Sequence, residues 1–360
     1  MDLKGTVVFS SGKSADFDIW TLALESGKLR QLTHGAELND SPRWSPDGAR
    51  IAYIAAGADG IFSVWVMERD GKNKQQLTTG IHCAHPAWAP DGSRIVFAAN
   101  AADPNEFELC SVECQTKQVD VLFRRPGIES GPSISPDGSS VLFAGVDPNS
   151  DLPFSDRDTE IWEYDTATKT ERRICAHPAR DYSPVYSPDG TKIAFVSHRN
   201  GRSEEEYAAK LHEIRANLNL KDRKSVDSAI RALAALDRDS DIYVVDTTGE
   251  NLRKITRNEG SDTSVRWSPC GNFLVFASAP KDEAASERLH VAELATGKVT
   301  ALQYDRSPLA QEIGANAKGM LDNNILMRLI PNFIERPLKM RAVGSAFWGE
   351  EREPDWTYAS

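Results

Sequence analysis

The sequence predicts an all-β fold, a six-bladed β-propeller of four-stranded antiparallel blades, and three observations carry that expectation. One phrase recurs five times in one register: SPRWSPDGARIAYIA, HPAWAPDGSRIVFAA, GPSISPDGSSVLFAG, SPVYSPDGTKIAFVS and TSVRWSPCGNFLVFAS. The phrases stand 44 to 52 residues apart where nothing intervenes, as the positions of Trp44, Trp88, Ile134 and Tyr186 show. Each is followed by two more β-patterned segments, which makes four short strands per unit, the periodicity of propeller blades.

Each element has a local reason. The phrase opens on a short strand ending in an aromatic residue or Ile, turns at Pro-Asp-Gly, and continues as a strand of alternating apolar residues, which is hairpin grammar. A third strand follows in FSVWVME, TEIWEYD and SDIYVVD, then a polar turn, then a fourth strand in KQQLTT and LRKITR. The chain enters mid-unit, because GTVVFSS, FDIWTLAL and KLRQLTH supply strands two to four without the phrase before them. EREPDWTYAS, with Pro354 and Trp356, matches the start of a phrase and is expected to pair beside Val7 to Ser10, closing the first blade and the ring. A lone blade leaves unpaired edges and two uncovered faces, so closure is required.

WSPDG followed by IAFVS, a gap, DIYVVD and LRKIT resembles the TolB-type propeller repeat, related in layout to WD repeats. The resemblance covers nearly the whole chain. It implies that the strand ending in WSP is innermost and the LT strand outermost, and it implies a protein-interaction role in envelope or transport assemblies. Two positions depart from the pattern: Cys270 stands where the turn Asp belongs and Ile134 where the aromatic belongs.

The units read as one domain over residues 1–360 with two insertions. Tyr186 to Trp267 spans 81 residues and Trp267 to Trp356 spans 89, so the fifth blade and the stretch after the sixth carry extra chain. The first insertion, residues 203–239, is helical in pattern. Ser203 with Glu206 makes a capping box, Tyr207, Leu211, Ile214 and Leu218 share a face, and a second helix from about Ser225 aligns Val226, Ile230 and Leu233. It reads either as a solvated hairpin on the rim or as a docking arm. The second insertion, residues 304–352, contains ILMRLIPNFI, too short to span a membrane, and reads as buried packing or as a contact surface. Strand direction puts both insertions on one face, with the longer loops Ala101 to Phe107, Val146 to Asp158 and Ala279 to Glu287. On the opposite face the SPDG turns are tight and uniform, which marks the long-loop face as the working one.

Composition narrows the function classes. The 360 residues are 26% charged and 40% apolar, with 42 basic and 53 acidic side chains and a net charge of -11, so phosphate backbones are repelled and nucleic acid is not an expected partner. No segment reads as a membrane span and Met1 to Gly5 lacks the pattern of a signal peptide. Five Cys without a CxxC pair suit a reducing compartment. The expected setting is cytoplasmic, or periplasmic if a leader has been removed.

Aligning the units on their aromatic position, the residue five places earlier is Asn39, Cys83, Glu129, Asp181, Asp262 and Glu351. Two readings stand. Each polar group caps its own loop, or the ring makes a negative funnel at the channel mouth that attracts a cation or a basic peptide. His82, His85 and His177 lie in the same class of loop, as does His34, and with a carboxylate could hold a divalent metal; this supports an alternative, a metal-dependent lyase or hydrolase sited at the channel mouth. Similarity to oligogalacturonate lyase, a propeller that holds a metal with channel His residues, keeps that alternative in view. DPNSDLPFSDRDTE lacks the spacing of a calcium loop, Cys110 and Cys114 read as small core residues, and no GxSxG elbow or phosphate-cradling loop occurs. The function expected is a non-catalytic, rigid scaffold that binds a protein or peptide partner through the long-loop face, with no cofactor required.

Overall fold

The computed structural model describes residues 3–304 and 355–357, apart from 14–15, 35–37, 57–59, 102–106, 126, 128, 150–158, 220–221, 237–238, 258–259 and 281–287. The second insertion therefore lies outside the described residues, as does Glu351.

Six four-stranded antiparallel sheets form the ring. Blade one holds β1 (Thr6–Lys13), β2 (Asp16–Ala23) and β3 (Lys28–Gln31). Blade two holds β4 (Asn39–Trp44), β5 (Arg50–Ala56), β6 (Phe62–Glu68) and β7 (Gln75–Gln76). Blade three holds β8 (Cys83–Trp88), β9 (Arg94–Ala99), β10 (Glu108–Glu113) and β11 (Val119–Phe123). Blade four holds β12 (Ser130–Ile134), β13 (Ser140–Val146), β14 (Thr159–Asp165) and β15 (Glu171–Cys175). Blade five holds β16 (Asp181–Tyr186) and β17 (Lys192–Ser197), then the helices α1 (Glu204–Ala216) and α2 (Arg223–Leu236), then β18 (Asp241–Asp246) and β19 (Arg253–Lys254). Blade six holds β20 (Gly260–Trp267), β21 (Phe273–Pro280), β22 (Arg288–Glu293) and β23 (Val299–Ala301). The last strand, β24 (Asp355–Thr357), pairs antiparallel with β1 through Val7↔Trp356 and completes blade one.

The repeated phrase is legible as hydrogen bonds. In blade two the Ser45 hydroxyl donates to Asp47 Oδ1 at 2.5 Å and accepts from the Arg50 N–H at 2.8 Å, while Asp47 Oδ1 also accepts from the Ala49 N–H at 3.0 Å. The same arrangement recurs at Ser135 with Asp137 and at Ser187 with Asp189. At the departure in blade six, Ser268 still accepts from the Phe273 N–H at 3.0 Å, and Cys270 Sγ lies 3.3 Å from its hydroxyl. The turn tolerates the exchange because Gly271 keeps its left-handed φ of 72°. The LT signature has a reason too: Thr33, Thr78 and Thr256 accept the N–H groups of Ile19, Val64 and Ile242 at 2.8–2.9 Å, while Leu32, Leu77 and Ile255 beside them are buried.

Neighbouring blades are joined by both packing and polar contacts. Trp88 Nε1 donates to the Arg43 carbonyl at 3.1 Å and Trp267 Nε1 to the Val185 carbonyl at 3.1 Å, each reaching the innermost strand of the preceding blade. Every described innermost strand from β4 to β20 also carries a bulge, with Ser41, His85, Gly131, Ser183 and Ser264 at φ between 51° and 59°. A methyl group added at Gly131 would stand 3.5 Å from the Ser183 Cα, so these bulges approach one another around the axis.

The helical insertion packs on the rim. Ser203 caps α1 with the full capping box, and Tyr207, Leu211, Ala229, Leu233 and Leu236 bury against Ala179 in the loop entering β16. Val7 and Val8, the partners of Trp356 and Asp355 across the closure, are fully buried. Deleting residues 355–360 removes that ladder, at about 0.5–1.5 kcal/mol for each hydrogen bond lost, and opens an edge on β1. The truncated protein should melt earlier in a thermal circular-dichroism scan and aggregate on heating; unchanged melting would show that the pairing contributes nothing.

Candidate functional site

The ring of residues at the entrance to the innermost strands lies below the surface. Asn39, Cys83, Glu129, Asp181 and Asp262 are all at most 3% exposed. Each sits where its blade meets the third strand of the blade before. Asn39 Nδ2 donates to the Phe17 carbonyl at 3.2 Å, and the Glu129 N–H donates to the Phe107 carbonyl at 3.0 Å. Thr159 Oγ1 donates to the Asp181 carbonyl at 2.8 Å, and Ser240 Oγ to the Asp262 carbonyl at 2.9 Å. At the Cys83 position the neighbouring His82 does the work, its Nδ1 accepting from the Phe62 N–H at 3.3 Å. The expected solvent-facing acidic funnel is therefore corrected for Glu129, Asp181 and Asp262, because their carboxylates are enclosed at blade junctions.

Two of these acids are balanced by arginines. Arg199 pairs with Asp181, donates from Nε to Ser197 Oγ at 2.8 Å, and stacks over Phe195 and Tyr243 at 5.4 and 5.1 Å. Arg125 Nε donates to Glu129 at 3.2 Å, its Nη1 donates to Glu171 at 2.8 Å, and its guanidinium lies 4.4 Å over Trp162. Burial pushes the Asp181 carboxyl up to about 6, with Arg199 pulling against it. Cys175 donates to the same carboxylate at 3.5 Å, and burial likewise raises its thiol.

The three histidines do not converge. His177 has both ring nitrogens engaged: Nδ1 accepts from the Ala179 N–H at 3.0 Å and Nε2 meets the Arg202 carbonyl at 3.2 Å, while the ring packs edge-on against Tyr207 at 5.7 Å. It ties the entry loop of blade five to the root of the helical insertion. His82 is held at the junction of blades two and three, and His85 occupies the bulge of β8. Burial, with Arg180 second, holds His85 down to about 4, so its imidazole is neutral near pH 7. Burial and then Arg199 hold His177 down to about 4 as well. Among the described residues, no three His, Cys, Asp or Glu side chains come together as a metal-binding group.

What the mouth of blade five does present is cationic and aromatic. Arg180 is half-buried, its guanidinium 5.1 Å over the Tyr182 ring, and Tyr182 stacks with His198 at 5.5 Å. The His198 N–H donates to the Arg180 carbonyl at 3.0 Å, which knits the loop before β16 to the loop after β17. Sequence reasoning passed over Arg125, Arg180, Arg199 and Arg202. The available signal was the set of arginines in CAHPARDYSP and SHRNGRS, beside acids that need compensation once buried.

The Arg199 and Asp181 pair yields a pH-dependent expectation. Arg199→Ala leaves Asp181 ionised and enclosed at pH 8, a loss of about 3–5 kcal/mol for a buried pair broken on one side. At pH 5, below the raised pKa of Asp181, the carboxyl is protonated and the loss should shrink. Urea midpoints at both pH values check this; an equal loss at pH 5 and pH 8 would show that charge is not the cause.

Comparison with known proteins adds the lineage. The family described as TolB beta propeller domain matches residues 4–119. The Tol-Pal system protein TolB of Francisella tularensis subsp. mediasiatica is 27% identical over 192 residues, which is 53% of this chain and 42% of that protein. The chain thus matches less than half the length of this curated relative. Among solved structures, TolB from Acinetobacter baumannii superposes with a TM-score of 0.63 at 17% identity, covering 84% of this chain and 64% of the other. Kuenenia stuttgartiensis hydrazine synthase superposes with a TM-score of 0.60 at 13% identity, covering 84% and 45%. Likeness at this level is one of fold alone. Five phrases in register, six four-stranded blades and these matches make the chain similar to the TolB-type β-propeller family.

Proposed function

We propose that this propeller is a rigid, non-catalytic scaffold that binds a protein or peptide partner on its long-loop face. The observation that carries the reading is the asymmetry between the two faces. One carries short, uniform SPDG turns that are internally hydrogen-bonded. The other holds the helical insertion, docked through Ala179, next to Arg180, Tyr182 and His198. Binding residues on loops that a stiff scaffold positions lose little conformational freedom when a partner arrives.

The buried ring of Asn39, Glu129, Asp181 and Asp262 serves this role indirectly. By stapling adjacent blades it fixes the spacing of the loops around the mouth, and it keeps acidic charge away from the contact surface. The relatives named for the Tol-Pal system support a partner that is a protein, and they favour an envelope setting for this chain over a cytoplasmic one. No helix among the described residues is long and apolar enough to cross a membrane.

The test is a footprint. Peptides selected from a displayed library for binding to the full chain should, in hydrogen-exchange mass spectrometry, protect residues 177–182, 198–203 and helix α1. The turns at Asp47, Asp91, Asp137 and Asp189 should exchange as in the free protein. Protection confined to those turns would overturn the reading.

A further inference from the structure

Glu129 and Asp181 at the mouth are enclosed and paired with arginines, whereas two arginines beside them, Arg180 and Arg202, have no carboxylate partner among the described residues. Arg180 rests on the face of Tyr182. Arg202, half-buried at the root of α1, has its Nη1 enclosed without a hydrogen-bond acceptor among the described residues. The loops that carry them are tied together twice, by His198 N–H to the Arg180 carbonyl and by His177 Nε2 to the Arg202 carbonyl, at 3.0 and 3.2 Å. An enclosed guanidinium nitrogen without an acceptor costs free energy that an anion recovers, and a guanidinium fork is shaped for a carboxylate.

We propose that Arg180 and Arg202 form a carboxylate-binding subsite at the mouth of blade five, so that the partner segment taken there is acidic or ends in a free C-terminus. The proposal rests on the scaffold reading and specifies the chemistry of its partner. Two observations support it. Asp181, the nearest acid in sequence, is engaged by Arg199 and is not available to Arg180. Tyr182, buried and stacked with His198, holds the Arg180 guanidinium in place, which lowers the ordering cost when an anion arrives. With a net charge of -11 on the whole chain, the attraction acts at contact distance and does not extend into a long-range steering field.

The experiment uses the full chain and four acetylated, fluorescein-labelled heptapeptides read by fluorescence anisotropy at physiological salt. One alternates Gly and Glu with an amidated end; one alternates Gly and Gln with a free carboxylate; the third is the Gly-Gln amide and the fourth the Gly-Lys amide. The first or second should bind at least tenfold more tightly than the third and fourth, and which of the two does so tells side-chain from C-terminal recognition. Arg180→Gln and Arg202→Gln should each weaken the favoured peptide about tenfold, the loss of one charge-assisted hydrogen-bonding pair. Arg180→Lys should recover part of it. Arg180 is only half-buried and carries no ion pair, so its variant should keep the parent melting curve; Arg253→Gln, on the outer strand of blade five, is the control that should change nothing. Preference for the Gly-Lys peptide, or carboxylate binding that survives both Gln variants, would overturn the proposal. Absence of binding by all four would overturn it too, while the scaffold reading would still stand or fall by its own footprint.

Discussion

The constraint on which the rest of this structure depends is the junction between one blade's innermost strand and the third strand of the blade before it. A propeller has no single core; each sheet must find its partner face in the next sheet, and the last must find the first. Apolar packing between blades supplies most of the contact area but little register, since flat apolar faces can slide. Register comes from polar contacts that recur at one level of the ring: Asn39 on Phe17, His82 on Phe62, Glu129 on Phe107, Thr159 on Asp181 and Ser240 on Asp262. The Trp88 and Trp267 indoles do the same one turn deeper, each donating to the preceding innermost strand. Buried and directional, these bonds cost most when misaligned, so they specify the angle at which blades meet.

That solution creates an electrostatic problem. Placing Glu129, Asp181 and Asp262 at enclosed junctions desolvates charge, and at Glu129 and Asp181 the chain answers with guanidinium groups. Arg125 and Arg199 each combine an ion pair with stacking on aromatic rings, so their apolar faces pack while their edges bond. The result separates two roles that one ring of acids seemed, on paper, to share. Acidic charge is enclosed at the blade junctions, and the half-buried groups at the mouth of blade five are Arg180 and His198. The helical insertion builds on this framework, because Ala179, in the loop that delivers Arg180 and Asp181, is also the floor under Tyr207 and Leu233.

Much of the architecture is legible residue by residue. SPDG turns, LT caps and aromatic strand ends each report a local hydrogen bond or a local packing need, and local needs leave local patterns. The exchange of Asp for Cys270 is harmless for the same reason: the left-handed glycine beside it, readable from the motif, carries the turn. The bulge in the innermost strands from β4 to β20 left a weaker trace, the Ser, His or Gly three places before the strand-ending aromatic or Ile, since a left-handed residue other than glycine has no strong signature. Candidate site residues were harder. The ring was found by alignment on Trp44 and its equivalents, but whether a carboxylate at such a position faces water or a neighbouring blade depends on the depth at which the blades pack.

By itself the sequence determined the number of units, the strand order within each, the turn chemistry and the helical character of the insertion. All of these follow from interactions between residues close in the chain or from a repeat that copies them. Only the tertiary structure decided which charges are enclosed and which are left partly open to solvent. Asp181 and Arg199 are 18 residues apart, and Arg125 and Glu171 are 46. The sign of the field at the mouth is a sum over groups brought together by ring closure, and that sum exists only once the blades have met.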